Sequence, residues 1–219
     1  PGGLIYGHNI FLLLSNLTWP YHNVISYSNL PIPFYCIAVD LNSGSQVLLD
    51  KGYLTESIRA SMSIPSIFSP IEIGNKLLVD GGVLNNFPVS EAKEKGATYI
   101  IGVNCGYLSQ KSFEINSLTT IIEKTLHVVG LQQTENAKKL CDIYIEPKFE
   151  ENLSMDFENA AKIIELGELA AREKYSELEK LSKKITSHKI SPDSFKVDFN
   201  EKIYISKIRF EGLKNISYN

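Results

Sequence analysis

The spacing of hydrophobic and polar positions divides the chain into short elements of two kinds. His8 to Leu17 predicts a short helix closed by Thr18-Trp19-Pro20, and a polar loop runs on to Leu30. Pro31-Ile-Pro33 forces an extended start. Phe34-Tyr-Cys-Ile-Ala-Val39 is then apolar at nearly every position, the pattern of a strand covered on both faces, and it ends at Asp40. Asn42-Ser-Gly-Ser45 predicts a hairpin turn into Gln46 to Asp50, and Thr55 is the expected cap of a helix carrying Ile58 and Met62. Ile64-Pro65 and Ser69-Pro70 cannot continue that helix, so a fixed loop is expected there. Ile71 to Ile73 and Lys76 to Val79 flank Gly74-Asn75, a pair suited to a second tight hairpin, and Asp80 ends its second strand.

Pro88 suits the first turn of a helix over Val89 to Lys95, with Gly96 ending it. Tyr99 to Asn104 has the composition of another buried strand, so Val79 to Asn104 is expected to form a βαβ unit. Leu118 to Leu140 predicts a helix, and Asp142-Ile-Tyr-Ile-Glu146 an alternating strand stopped by Pro147. Phe157, Ala160, Ala161, Ile164, Glu168, Ala171, Tyr175 and Leu178 recur at helical steps, with Asp156 or Ser154 as the expected cap. Ser187 to Asn200 is polar, carries Pro192 and reads as a linker, after which Lys202 to Phe210 alternates as a separate β element. Neither an internal repeat nor a low-complexity tract interrupts this order.

Composition narrows the class. A chain of 219 residues with 43% hydrophobic content can bury one full core with a short appendage. A net charge of −3, with Lys and Arg scattered, excludes nucleic acid as an expected partner. Cys36, Cys105 and Cys141 are odd in number and lack Cys-x-x-Cys spacing, which suggests neither a disulfide framework nor a zinc site. Cys36 and Cys105, in apolar runs, read as buried core thiols. His8, His22, His127 and His188 are dispersed, so neither a histidine triad nor a histidine metal site is expected. Ile10 to Leu14 is too short to span a bilayer and lacks the flanks of a signal peptide. The chain begins Pro1-Gly2-Gly3 rather than with Met, and is expected to be an internal piece of a longer protein.

Candidate chemistry centres on Asp80-Gly81-Gly82, where an apolar strand breaks into a glycine turn. Such a carboxylate, followed by residues free to take positive φ, can be held at the mouth of an α/β sheet, where ligands of these sheets bind. It can equally do no more than cap the turn that follows. The sequence contains no Gly-x-Ser-x-Gly, the strand-to-helix turn that exposes a nucleophilic serine. Ser61 and Ser63 are the nearest serines in sequence, but neither sits on a glycine-flanked turn, and both read as loop and helix-end hydrogen-bonding residues.

Pro31-Ile-Pro-Phe-Tyr-Cys-Ile-Ala-Val-Asp-Leu41, Gly44, Ile58-Arg-Ala-Ser-Met-Ser-Ile-Pro-Ser-Ile-Phe-Ser-Pro70, Val79-Asp-Gly-Gly-Val-Leu-Asn-Asn-Phe-Pro-Val89 and Gly96-Ala97 together resemble the C-terminal portion of a patatin-like phospholipase domain, in order and at fitting spacings. The resemblance covers about Pro1 to Lys183 and is densest from Leu30 to Asn104. It implies an α/β fold, a partial three-layer sheet with flanking helices, truncated at its N-terminal side. It also implies a lipid acyl hydrolase with a Ser-Asp dyad, in which Asp80 is the proton acceptor and Gly81 and Gly82 keep side chains out of the acyl site. Asn85, Asn86 and Pro88 would shape the loop and start the helix. The family's glycine-rich oxyanion loop and serine precede the matched region, so no nucleophile is expected in this chain and the chain alone is expected to be inactive. The implied substrate is a membrane phospholipid or another acyl-ester lipid, with no cofactor and no metal. A catalytically inactive scaffold or binding module is the alternative.

Glu201-Lys-Ile-Tyr-Ile-Ser-Lys-Ile-Arg-Phe-Glu-Gly-Leu213 resembles the first strand of a POTRA domain, the module that precedes many outer-membrane β-barrels. The expected organisation is a hydrolase portion over 1–186, a linker over 187–200 and the start of a POTRA-like element over 201–219. That order implies attachment to an outer-membrane barrel in the same polypeptide, in the bacterial cell envelope or secreted, against a cytoplasmic alternative.

Overall fold

A computed structural model describes residues 3–106, 133–148 and 159–185. In chain order these form β1 (Gly3–Ile5), α1 (His8–Thr18), β2 (Cys36–Asp40), β3 (Ser45–Leu49), α2 (Leu54–Ser61), β4 (Ser66–Phe68), β5 (Ile71–Ile73), β6 (Lys76–Asp80), α3 (Val89–Glu94) and β7 (Ile101–Val103). Then come α4 (133–138), β8 (Ile143–Ile145), α5 (Ala160–Glu173) and α6 (Tyr175–Lys184). The architecture is mixed α/β with flanking helices, as the resemblance implies.

The central unit is a four-stranded sheet in the order β3-β2-β6-β5, antiparallel at every pairing. Its two hairpins turn at Gly44 and at Gly74, both at positive φ, where the absence of a Cβ removes the steric cost of a left-handed residue. Val39 pairs with Val79 and Ala38 with Asp80, which places the end of β6 beside the middle of β2. Ala38, Leu49, Leu78 and Ala60 of α2 form one buried cluster, while Ile37, Val39 and Val79 are buried as well. Strand β2 is thus covered on both faces, as its unbroken apolar run requires.

Several expectations are corrected. Thr55 does not cap α2: Tyr53 holds that position, and Thr55 lies inside the helix, fully buried, its hydroxyl 2.7 Å from that of Thr18. The polar loop before Leu30 contains Tyr27, whose ring is fully buried and whose hydroxyl meets Ser57 at 2.7 Å. Between the two prolines of the expected loop lies β4, which pairs in parallel with β1. Val79 to Asn104 is not a βαβ unit of one sheet, because β7 pairs in parallel with β8 in a separate two-stranded sheet. Nor is β7 covered on both faces, since Ile101 and Val103 are about half exposed.

The long helical stripe is also interrupted. Lys174 leaves helical geometry and separates α5 from α6. Ile164 and Tyr175 of the stripe are exposed, and the cluster with Ile143 and Ile145 is made instead by Ala170, Ala171, Leu178 and Leu181. Cys105 is exposed rather than buried, and Cys36 is partly buried. Of the helix expected over Leu118 to Leu140, only the last residues are described. The expected cap at Asp156 or Ser154, the linker over 187–200 and the element over 201–219 lie outside the described residues.

Candidate active site

Strand β6 delivers Asp80 to the rim of the central sheet, and three contacts fix its turn. The Asp80 amide donates to the Ser63 carbonyl at 3.0 Å, just past the end of α2. Gly81 packs directly on the Ile37 carbonyl, where no side chain could stand. The Gly82 amide then donates to Asp80 Oδ1 at 2.7 Å, closing a turn of 3-10 helix over Gly81–Val83. Neither Gly81 nor Gly82 has a positive φ, so the expected reason for these glycines is corrected: close approach of the Ile37 backbone requires Gly81, and the side chains of Asn86 and Asp80 crowd Gly82.

The other carboxylate oxygen, Oδ2, has no donor among the described residues. Burial pushes the Asp80 carboxyl up from its ordinary value, and the Gly82 amide works against that rise. A carboxylate raised in this way, with one oxygen free, has the properties of a proton acceptor. Asp40 contrasts with it at the end of β2. Its Oδ2 accepts from the Ser43 hydroxyl at 2.8 Å, and its Oδ1 from the amides of Asn42 and Leu77, both at 3.2 Å. These bonds, the Ser43 hydroxyl foremost, hold its carboxyl below the ordinary value. Asp40 therefore caps the turn to Gly44, whose amide donates to its carbonyl at 2.8 Å.

Neither nearby serine has a free hydroxyl. Ser61 donates to the Ile37 carbonyl at 2.7 Å. Ser63 is fully buried, donates to the Arg59 carbonyl at 2.8 Å and accepts from Arg59 Nη1 at 2.7 Å. Asn85 and Pro88 shape the loop: Asn85 Nδ2 donates to Gln46 and to Glu91, at 3.0 and 2.8 Å, and the Pro88 carbonyl accepts from Tyr35. Asn86 does more than this. A Cβ on Gly82 would come 2.9 Å from its Oδ1, and a Cβ on Gly106 would come 3.4 Å from its Nδ2, so its amide lies between the Asp80 turn and the end of β7. There the buried Asn104 donates to Tyr144 and Glu146 and accepts from the Gly106 amide at 3.0 Å. No local sequence signal marks Asn104, because its neighbours come from β8.

A cavity of about 450 Å³ lies alongside, walled by Gln46, Asn85, Phe87, Glu91, Gln133 and Asn136 among others, but Asp80 is not in its wall. Among the described residues, no three His, Cys, Asp or Glu side chains are grouped to hold a metal, and no helix is long and apolar enough to cross a membrane.

Residues 37–93 match the family model of patatin-like phospholipases. The lysophospholipase NTE1 of Meyerozyma guilliermondii is 27% identical over 168 residues, which cover 65% of this chain and 12% of that protein. An NTE family protein of Mycobacterium bovis is 27% identical over 168 residues, covering 66% of this chain and 29% of its own length. The lysophospholipase NTE1 of Candida albicans is 35% identical over 81 residues, 37% of this chain and 6% of that protein. The chain thus spans less than a third of the length of each of these relatives.

Proposed function

We infer that this chain, which carries part of a patatin-like phospholipase domain, is the base-bearing part of a lipid acyl hydrolase that cleaves carboxyl esters of phospholipids or lysophospholipids. The observation that carries this reading is Asp80 itself, a partly buried carboxylate with a raised pKa, held by its backbone on both sides and with no donor to Oδ2 among the described residues. In the proposed step, a serine supplied from outside these 219 residues attacks the ester carbonyl carbon while Asp80 takes its proton. As the ester C–O bond breaks, Asp80 returns the proton to the departing alcohol. Water then attacks the acyl-serine, gives its proton to Asp80, and the serine regains one as the fatty acid leaves.

Labelling of the full-length natural protein with a serine-directed fluorophosphonate tests this. The expected adduct is on a serine outside the present chain, and it should be lost in Asp80→Asn. Stoichiometric labelling of Ser61 or Ser63, or labelling at full rate in Asp80→Asn, would overturn the assignment.

A second reading, an inactive scaffold, is favoured by the Gly82 amide on Oδ1, since a capping carboxylate needs no other task. No adduct anywhere in the full-length protein would establish it. Attachment to an outer-membrane barrel rests on the POTRA-like residues 201–213 alone, and the relatives named above are fungal and mycobacterial. Recovery of the protein from a cell fraction other than the outer membrane would remove that reading.

A further inference from the structure

We propose that Arg59 is a positioning residue for Asp80, acting through Ser63 and tying the Tyr6-Gly7 turn to the turn that carries the carboxylate. Arg59 lies on α2 and is only 1% exposed. A buried guanidinium is costly unless its charge is compensated, yet no carboxylate pairs with Arg59 among the described residues, and its Nε has no partner. Packing alone would be served better by an aliphatic side chain. What Arg59 supplies instead is a rigid fork with several donors.

Each arm of that fork reaches a different segment. Nη1 donates to the Ser63 hydroxyl at 2.7 Å, and Nη2 to the Tyr6 carbonyl at 3.2 Å. The guanidinium also lies 4.7 Å from the centre of the Phe68 ring on β4. Gly7, at φ 74°, leaves the space that its own Cβ would need to this side chain, since that Cβ would fall 2.5 Å from Nη2. Ser63 is fixed twice over, because its hydroxyl both accepts from Arg59 Nη1 and donates to the Arg59 carbonyl. Its own carbonyl is the acceptor for the Asp80 amide. The C-terminal end of α2 thus holds Asp80 through Ser63, while Ser61 holds the Ile37 carbonyl on which Gly81 rests.

The catalytic consequence rests on the reading of Asp80 as the base, whereas the positioning can be measured without activity. Hydrogen exchange by mass spectrometry on the full-length protein reads the Asp80 amide directly. In Arg59→Lys, which keeps the charge but loses the fork, and in Ser63→Ala, that amide should exchange about ten times faster, while the amides of β2 and β3 stay within about twofold of wild type. Unchanged protection at Asp80, or an equal acceleration throughout the central sheet, would overturn the proposal. If Arg59→Lys does not fold, Ser63→Ala, which leaves the cation in place, decides alone. If Asp80→Asn retains full turnover, the base assignment fails while the exchange result still stands or falls by itself.

Discussion

The carbonyl oxygen of Ile37 stands where a side chain on Gly81 would begin. Ile37 lies on β2 and Gly81 directly follows the neighbouring strand β6, so their contact sets the depth at which Asp80 leaves the sheet. Gly81→Ala is therefore expected to force the backbone apart and destabilise the fold by about 2 kcal/mol or more. Urea unfolding measures this. A variant of wild-type stability would show that the turn has slack.

Replacing Asp80 by Asn keeps the shape of the turn and removes the proton acceptor proposed above. In the full-length protein, ester hydrolysis should fall by at least ~10²-fold. Asp40→Asn is the control. Three donors hold Asp40, so its replacement should reduce stability more than turnover. Steady-state hydrolysis and thermal unfolding of both variants check this, and the reverse outcome would move the base to Asp40.

The two carboxylates should also differ in how stability depends on pH. Burial raises the folded pKa of Asp80 above its unfolded value, so its ionised form costs stability above that range, and the cost disappears as pH falls below the unfolded pKa. The folded pKa of Asp40 is depressed, so its contribution is present above the unfolded pKa and lost as pH falls through the folded one. At about pH 7, Asp80→Asn should be neutral or stabilising and Asp40→Asn destabilising, and the contrast should vanish once the pH falls below the depressed folded pKa of Asp40. Denaturant midpoints across that range test the signs.

Thiol chemistry gives an independent check of the fold. Burial pushes Cys36 up to about 11, and its thiol donates to the Ser57 carbonyl at 3.4 Å, so it is almost wholly protonated at neutral pH. Cys105 is exposed. Alkylation followed by peptide mapping should modify Cys105 first and Cys36 last.

Local chemistry made much of the site legible from the residues alone. Glycine at the hairpin turns, the apolar run ending at Asp40 and the Asp80-Gly81-Gly82 break each announce themselves within a few positions. The lines that could not be read depend on partners far along the chain. Gly3 pairs with Ser66, and nothing near either predicts it. The sequence of β7 suits either sheet, and only its pairing with β8 decides which. Thr55 has the chemistry of a cap, but Thr18 from another helix claims its hydroxyl. Distance in sequence also hid Arg59, one arm of which reaches Tyr6 while the other meets Ser63 nearby.

Ile37, Ser61, Ser63, Asp80 and Gly82 all fall within one short stretch of chain, and the strands that carry or flank them are joined by two hairpins. The two hairpins are sequence-local, and the β2-β6 pairing that joins them closes a shorter loop than the Gly3 to Ser66 pairing of β1 with β4, so it closes at lower entropic cost. In a longer polypeptide the carboxylate's cradle would then be complete before more distant segments arrive, and would serve as the template on which they dock. Pulse-labelled exchange during refolding should find the amides of β2, β3 and β6 protected before those of β1 and β4.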